Sequence, residues 1–219
     1  FLGKRKFMAR TMPFDIFALR KLNQWKDSAS KDDGHIIDAI STSPIHEIVY
    51  FWNGFGRMLP EDLEVAMQQL GYAAEPGTPY ARAAAGEPLP KDCCPEIEDE
   101  SLIRYLLQSI VLRYQGKVEE GYDLLKTKVL SQIMYDTPNK GHYASGLSKV
   151  QFYKKSRDPW VSPSAVYEAA VFEWTLHGKE NVTKVRDYLE MASSYGDDYE
   201  LSTRVGLKIK GALSKLEGL

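Results

Sequence analysis

Residues 102–130 read LIRYLLQSIVLRYQGKVEEGYDLLKTKVL, and residues 165–195 read AVYEAAVFEWTLHGKENVTKVRDYLEMASSY. Each stretch has an aromatic-rich segment with helical spacing, a turn at a glycine (Gly116 or Gly178) and a second helical segment. A helical hairpin of this kind cannot bury its apolar face alone and stacks on its neighbours. The repeated pattern therefore predicts an all-α fold of helical hairpins stacked as a short, curved solenoid.

The second helix of each hairpin begins with a small residue and has a bulky one about a turn later. These positions are held by Gly121 and Leu125 in the first copy and, if two extra residues are allowed in its turn, by Val185, Leu189 and Ala192 in the second. A small residue lets two helices cross closely, which is the layout of a tetratricopeptide hairpin. Any antiparallel helix pair favours similar packing, so a generic helical bundle is the alternative.

Helical patterns also occur before and after the two clear hairpins. Pro13 and Pro44 each stand at the expected first turn of a helix, where a missing N–H costs nothing. The helix after Pro44 carries apolar residues at helical spacing, namely Ile45, Ile48, Val49, Trp52 and Phe55. A further helix ends at Gly71. From about Tyr199 we expect a closing helix, whose polar outer face includes Lys208, Lys210 and Lys215.

These patterns divide the chain into five parts. Residues 1–72 are predicted to form an N-terminal helix plus a degenerate helical hairpin. Residues 73–95 are rich in Pro, Gly and Ala, which predicts a flexible loop that trypsin would cut near Arg82 or Lys91. A tetratricopeptide-like hairpin follows at 96–135, a basic and aromatic insertion at 136–161, and a second such hairpin with the closing helix at 162–219.

Composition and motifs argue against an enzyme and against a nucleic-acid-binding protein. The chain has 219 residues and a net charge of −2, so no general attraction to nucleic acid is expected. Its two cysteines, Cys93 and Cys94, are adjacent, and its four histidines lack the spacing of metal ligands. The sequence has no phosphate-binding glycine loop, nucleophile elbow or zinc signature. We therefore predict no catalytic, cofactor-binding or metal-binding residues.

Two basic stretches are candidates for binding. One runs from Lys4 to Arg10 and on to Arg20 and Lys21. The other holds the candidate binding residues Lys149, Lys154, Lys155, Arg157 and Trp160. Basic residues beside aromatic ones can lie on an anionic membrane surface or contact an acidic protein. The second stretch interrupts two hairpins, so we expect it to project from the solenoid. A solvated charged face is the alternative for both stretches.

The inner faces of the hairpins lack the Lys and Asn residues with which some tetratricopeptide grooves hold acidic tails. The corresponding positions are Leu106 and Ile110 in one hairpin, and Ala165 and Ala169 in the other. An apolar inner face is either packed or open to a hydrophobic ligand. A lipid or sterol carrier is therefore the alternative to an adaptor, and a closed apolar pocket would favour it.

Four stretches together resemble one protein family. They read GKRKFMARTMPFDIFALRKLNQW (residues 3–25), SPIHEIVYFWNGFGRM (43–58), SPSAVYEAAVFEW (162–174) and DDYELSTRVGLKIKGAL (197–213). In this order they are similar to the carboxy-terminal half of the fungal inclusion body clearance proteins. Those proteins belong to a wider eukaryotic tetratricopeptide-repeat family that shares the aromatic-Trp-Asn-Gly stretch, here Tyr50–Gly54.

The resemblance implies a non-enzymatic helical-repeat adaptor that takes part in inclusion body clearance together with lipid droplets. It implies protein partners, contact with a lipid-droplet or mitochondrial outer-membrane surface, and location in the cytoplasm and nucleus. The family supplies no catalytic residues or cofactors. The chain begins at Phe1, and we expect it to be part of a longer protein.

Overall fold

The computed structural model describes residues 6–7, 10–31, 36, 39–40, 42–71, 98–153 and 157–218. In chain order the elements are β1 (Lys6–Phe7), β2 (Arg10–Thr11), α1 (Pro13–Lys31), α2 (Pro44–Phe51), α3 (Pro60–Gly71), α4 (Glu98–Tyr114), α5 (Val118–Leu125), a π-helical turn (Lys126–Leu130), α6 (Ser131–Ile133), β3 (Met134–Asp136), β4 (Val150–Phe152), α7 (Val161–His177), α8 (Val182–Ser193) and α9 (Ser202–Glu217). Strands β1 and β2 pair antiparallel, as do β3 and β4. The predicted all-α class is confirmed.

The two repeated stretches form helical hairpins, as predicted. Helices α4 and α5 pair across a turn at Gly116, and α7 and α8 pair across a turn at Gly178. Both glycines adopt a positive φ, of 83° and 55°, which side chains with a Cβ rarely tolerate. The glycines thus provide the chain reversal that the sequence indicated.

Gly121 lies where α5 crosses α4. A Cβ atom at this position would lie 2.7 Å from the carbonyl oxygen of Ser109 and 3.2 Å from the ring of Phe172 on α7. The absence of a side chain therefore lets three helices meet. The prediction that Gly121 is the small residue of a close helix crossing is confirmed.

Helices α2 and α3 do not form the third hairpin that the sequence predicted. Each packs mainly on α4 rather than on the other. The connection between them contains a short 3₁₀ turn (Phe55–Arg57) in which Phe55 is buried. The inward side of α2 also meets α1 and the residues before α7, whereas α3 packs mainly on α4.

The hairpins stack directly on one another. Helix α7 packs on α4 and α5, and the closing helix α9 packs on α8. The inner positions Leu106, Ile110, Ala165 and Ala169 are all buried. The apolar inner face is therefore filled by neighbouring helices, which is the packed alternative of the two that the sequence left open.

The insertion between the hairpins does not simply project into solvent. Strands β3 and β4 form a short antiparallel pair, and the Ser145 N–H in their connection donates to Asp187 Oδ2 on α8 at 2.7 Å. The ring of Phe152 packs edge-on against Tyr195 at 5.0 Å. The prediction of a projecting segment is therefore wrong for this part of residues 136–161, because the strand pair folds back onto α8.

The predicted loop at 73–95, with Arg82, Lys91, Cys93 and Cys94, lies outside the described residues, as do Lys154 and Lys155.

Candidate functional site

The basic and aromatic stretch is distributed over two places. Lys149, just before β4, is half-buried, with its ammonium group 3.5 Å from the centre of the Tyr143 ring. Its carbonyl oxygen accepts hydrogen bonds from the N–H and the hydroxyl of Thr137. Arg157 is exposed, and its backbone N–H donates to Asp99 at 3.1 Å. Lys149 and Arg157 therefore carry positive charge near the surface, and hydrogen bonds hold the backbone of each in place.

Trp160 is not part of a binding surface. Its side chain is 0% exposed, and its ring lies 5.8 Å from that of Tyr50 and 4.8 Å from that of Phe51. Sequence reasoning placed Trp160 at the surface because basic residues precede it. Trp160 instead belongs to the core, where it joins the start of α7 to the end of α2.

The Tyr50–Gly54 stretch, which we call the WNG segment, is a junction of several helices. The ring of Phe51 contacts Phe17 of α1 at 5.7 Å, and the ring of Trp52 contacts Phe14 at 5.3 Å. Asn53 has a φ of 54°, a conformation that Asn adopts more readily than most residues. The segment ends α2 abruptly and turns its aromatic rings toward α1 and α7.

The closing helix α9 completes this junction from the other side. Arg204 donates from Nη1 to the carbonyl of Phe51 at 3.2 Å, and Lys208 donates from Nζ to the carbonyl of Tyr50 at 3.2 Å. The last carbonyls of a helix have no partner within it, and cations near them are stabilising. Lys208 was predicted on a polar outer face, and the structure instead half-buries it as a cap for α2.

A buried cluster of charges holds α1 against the rest of the molecule. The Lys21 side chain is 2% exposed, and its Nζ lies 3.1 Å from Glu47, 2.9 Å from Glu100 and 3.5 Å from Asp158. Neighbouring Arg20 pairs with Asp158 at 2.9 Å and with Glu200 at 2.8 Å. Sequence reasoning placed Arg20 and Lys21 in a basic stretch. The prediction that these two residues belong to a free basic surface is wrong, because carboxylates distant in sequence pair with both.

Burial and charge act in opposite directions on this cluster. Burial alone would lower the pKa of Lys21, but the carboxylates of Glu47, Asp158 and Glu100 outweigh burial and raise it. Burial raises the pKa of Glu47 to about 8, although Lys21 opposes the change. The compensation for burying this carboxyl group is the Lys21 ammonium group, which lies 3.1 Å from Glu47 Oε1.

A second polar network joins the two hairpins. Glu173 on α7 accepts a hydrogen bond from the Tyr122 hydroxyl at 2.8 Å and pairs with Lys184 at 2.6 Å. Burial alone would raise the pKa of Glu173, but hydrogen bonds from Lys184, Tyr122 and Asn181 outweigh it and lower the pKa. Both networks bind structural elements together, and neither exposes a reactive group in a cleft.

The helices α7, α8 and α9 border an open apolar groove of about 490 Å³, lined by Ala170, Trp174, Leu189, Ala212 and Leu216 among others.

Within the described parts of the chain, no group of three or more His, Cys, Asp and Glu side chains is arranged to bind a metal ion. No helix there is long and apolar enough to cross a membrane. The stacked helices therefore offer an outer surface and an apolar groove at which another molecule can bind.

Comparison with known proteins agrees with this architecture. Residues 1–115 match the model of the family Iml2/Tetratricopeptide repeat protein 39. The chain belongs to this family. The WNG segment and its contacts with α1 lie within the matched region.

Several fungal proteins are similar over nearly all of this chain. The inclusion body clearance protein IML2 of Yarrowia lipolytica is 43% identical over 217 residues, which cover 99% of this chain and 28% of that protein. The corresponding protein of Candida glabrata is 42% identical and covers 99% of this chain and 26% of its own length. An IML2-like protein of Saccharomyces cerevisiae is 40% identical over 219 residues, or 27% of its length. The resemblance to the inclusion body clearance proteins is confirmed.

The chain spans about a quarter of the length of the curated relatives it matches. No solved structure matches it.

Proposed function

We propose that this chain is a non-catalytic helical-repeat adaptor that acts in the clearance of protein inclusion bodies, in association with lipid droplets. The observation that carries the proposal is the similarity to inclusion body clearance proteins over 99% of the chain. The stacked hairpins support it, because such arrays present extended surfaces to partners. The buried networks around Lys21 and Glu173 support the non-catalytic part of the proposal, since both join helices to one another.

The proposed partners are proteins, together with the surface of lipid droplets or of the mitochondrial outer membrane. Lys149 and Arg157 are the described cations of the basic stretch, and we assign to that stretch the contact with an anionic partner. The proposed location is the cytoplasm, extending to the nucleus and to these two surfaces.

A chimera tests the role in clearance. In Saccharomyces cerevisiae cells lacking their IML2 protein, the matching quarter of that protein is replaced by this chain, and inclusions of a fluorescent aggregation-prone reporter are followed over time. We expect the chimera to restore their disappearance, and a chimera that carries Gly121→Leu to restore it poorly. If a chimera at normal abundance leaves the inclusions in place, the proposal is wrong.

The carrier alternative makes a different prediction. A lipid or sterol carrier would use the open groove near Trp174, since the inner faces of the hairpins are filled. Protein recovered from cell extract under mild conditions is analysed for bound proteins and bound lipids together. Stoichiometric lipid without a protein partner would favour the carrier. Protein partners without stoichiometric lipid would favour the adaptor.

A further inference from the structure

Helix α2 turns its apolar residues outward. Ile45 is 66% exposed, Ile48 is 41% exposed and Trp52 is 44% exposed. Their spacing of three and four residues places them on one face of the helix. The opposite face buries His46 and Glu47. A stripe of large apolar side chains in water is costly, and such patches commonly mark sites where partners bind.

The orientation of α2 has a clear physical cause. Glu47 points inward, with its carboxyl group 3.1 Å from Lys21 Nζ, and the ring of His46 stacks on Phe55 at a centroid distance of 6.2 Å. Tyr50 and Phe51 also point inward, toward Trp160. Since the inward positions are occupied by residues that bind specific partners, the two isoleucines are left on the outer face.

One end of the stripe carries excess positive charge. The guanidinium of Arg204 lies 4.0 Å from the centre of the Trp52 ring, and the ammonium group of Lys208 lies 3.8 Å from the centre of the Tyr50 ring. Burial lowers the pKa of Lys208; Glu168 opposes this, and the nearby charges of Arg204 and Arg113 lower it further. Arg113 is paired with Glu168 at 2.7 Å, whereas Arg204 and Lys208 lie beside the aromatic end of the stripe, so a negative group there is favourable.

We propose that the face formed by Ile45, Ile48, Trp52 and Arg204, here named the α2 face, binds an acidic amphipathic helix of a partner protein. The apolar side of that helix lies along Ile45 and Ile48, and its carboxylates meet Arg204 beyond Trp52. The stripe is about 10 Å long, which matches two turns of a helix. The commitment to an acidic helix rests on charge complementarity, because the stripe ends at cations.

This inference deepens the proposed function, since it names a partner class for the adaptor and rests on that function for its cellular meaning. The α2 face is separate in sequence from Lys149 and Arg157. Binding in solution is also measured independently of inclusion clearance in cells. Failure of one proposal is therefore distinguishable from failure of the other.

The test uses fluorescence anisotropy with three labelled helical peptides of equal length. Each has leucines at positions i, i+3, i+4 and i+7, and the remaining positions carry Glu, Gln or Lys. We expect the Glu peptide to bind the chain and to bind more weakly as salt is raised. We expect the Gln peptide to bind at least tenfold more weakly, and the Lys peptide not to bind.

Three variants locate the site. Ile48→Glu and Arg204→Glu are each expected to weaken binding of the Glu peptide at least tenfold, and Arg204→Glu to bring about binding of the Lys peptide. Lys215→Glu makes the same change of charge at an exposed site on the same helix, and it should alter the affinity less than twofold. Arg204 also caps α2, so circular dichroism is recorded for each variant. Ile48→Glu provides the decisive measurement if Arg204→Glu unfolds.

The proposal is overturned if the Glu peptide does not bind, if the Gln peptide binds equally well, or if Ile48→Glu leaves the affinity unchanged. Sedimentation of the chain alone examines a second occupant. Self-association that Ile48→Glu abolishes would assign the α2 face to another copy of the chain and would also overturn the proposal. A monomer that binds the Glu peptide through Ile48 supports it.

Discussion

The Nζ atom of Lys21 lies 3.1 Å from the Glu47 carboxylate, and both side chains are almost completely shielded from solvent. This pair joins α1 to α2, while Glu100 and Asp158 connect the same ammonium group to α4 and to the residues before α7. One cation thus holds four parts of the chain together. A charge in this position is stabilising only as long as its partners remain.

Replacing Lys21 by Met is expected to destabilise the protein by about 3–5 kcal/mol, because it leaves buried carboxylates without their cation. The free energy of unfolding is measured by urea denaturation at pH 7. Lys210→Met removes an exposed cation from α9 and serves as the control, with an expected change within about 0.5 kcal/mol. A Lys21→Met variant as stable as this control would show that the cluster contributes nothing net to folding.

The raised pKa of Glu47 predicts a dependence of stability on pH. In the folded chain the Glu47 carboxyl group keeps its proton up to a pH of about 8, whereas in the unfolded chain it loses the proton near its ordinary pKa of 4.5. Between these values the folded state binds more protons, so the contribution of Glu47 to stability falls as pH rises. The contribution is fully present below 4.5 and lost by about pH 8.

Glu47→Gln tests this prediction, because the amide has a similar shape and does not titrate. We expect the stability of the variant relative to wild type to increase steadily from pH 5 to pH 8 in urea denaturation. Glu217→Gln, at an exposed carboxylate near the end of α9, should run parallel to wild type. Parallel curves for Glu47→Gln and wild type would mean that Glu47 is ionised throughout this range.

Gly121 provides a prediction about packing. Because a Cβ there would lie 2.7 Å from the carbonyl of Ser109, Gly121→Leu is expected to cost roughly 1–3 kcal/mol through overpacking. Gly121→Ala should also destabilise, although Ala favours helices. The matched control is Gly211→Ala on α9, where a Cβ meets no atom within 4 Å. There we expect a gain of up to about 1 kcal/mol. Thermal unfolding measures the change in stability of each variant. Equal changes for Gly121→Ala and Gly211→Ala would contradict a close helix crossing at Gly121.

The repeated hairpins could be predicted because their evidence is local in sequence. In each hairpin the helical spacing and the turn glycine lie within about thirty residues, and in the first hairpin so does the small residue Gly121. The charge cluster could not be predicted, because Lys21 meets Glu47 and Asp158 only after the helices have packed. For the same reason, neighbouring basic residues gave a misleading indication for Trp160. Local pattern predicts which helices form, whereas the choice between a core and a surface position depends on residues far away in the chain.

The exposed face of α2 illustrates the same limit. Ile45 and Ile48 have the spacing of an apolar stripe, and a stripe on a helix normally indicates its buried side. Here the buried side carries Glu47, whose carboxyl group lies 3.1 Å from Lys21 Nζ on α1, and the two isoleucines are left on the outer face. The sequence predicted a helix at this place, and only tertiary structure shows which of its faces points inward.

The last prediction concerns the basic stretch. Replacing Lys149, Lys154, Lys155 and Arg157 by Ser should strongly reduce flotation with liposomes that contain phosphatidylserine, because each basic residue near an anionic surface contributes on the order of 1 kcal/mol. The fold should survive, since Lys149 is held through backbone bonds and Arg157 is exposed. A control removes as much charge from exposed positions elsewhere, namely Lys128, Lys179, Lys210 and Lys215. High salt should release the wild type from the liposomes. Equal flotation of the two variants would rule out a specific membrane contact at this stretch, and the same pair of variants in a pull-down would then test an acidic protein as its partner.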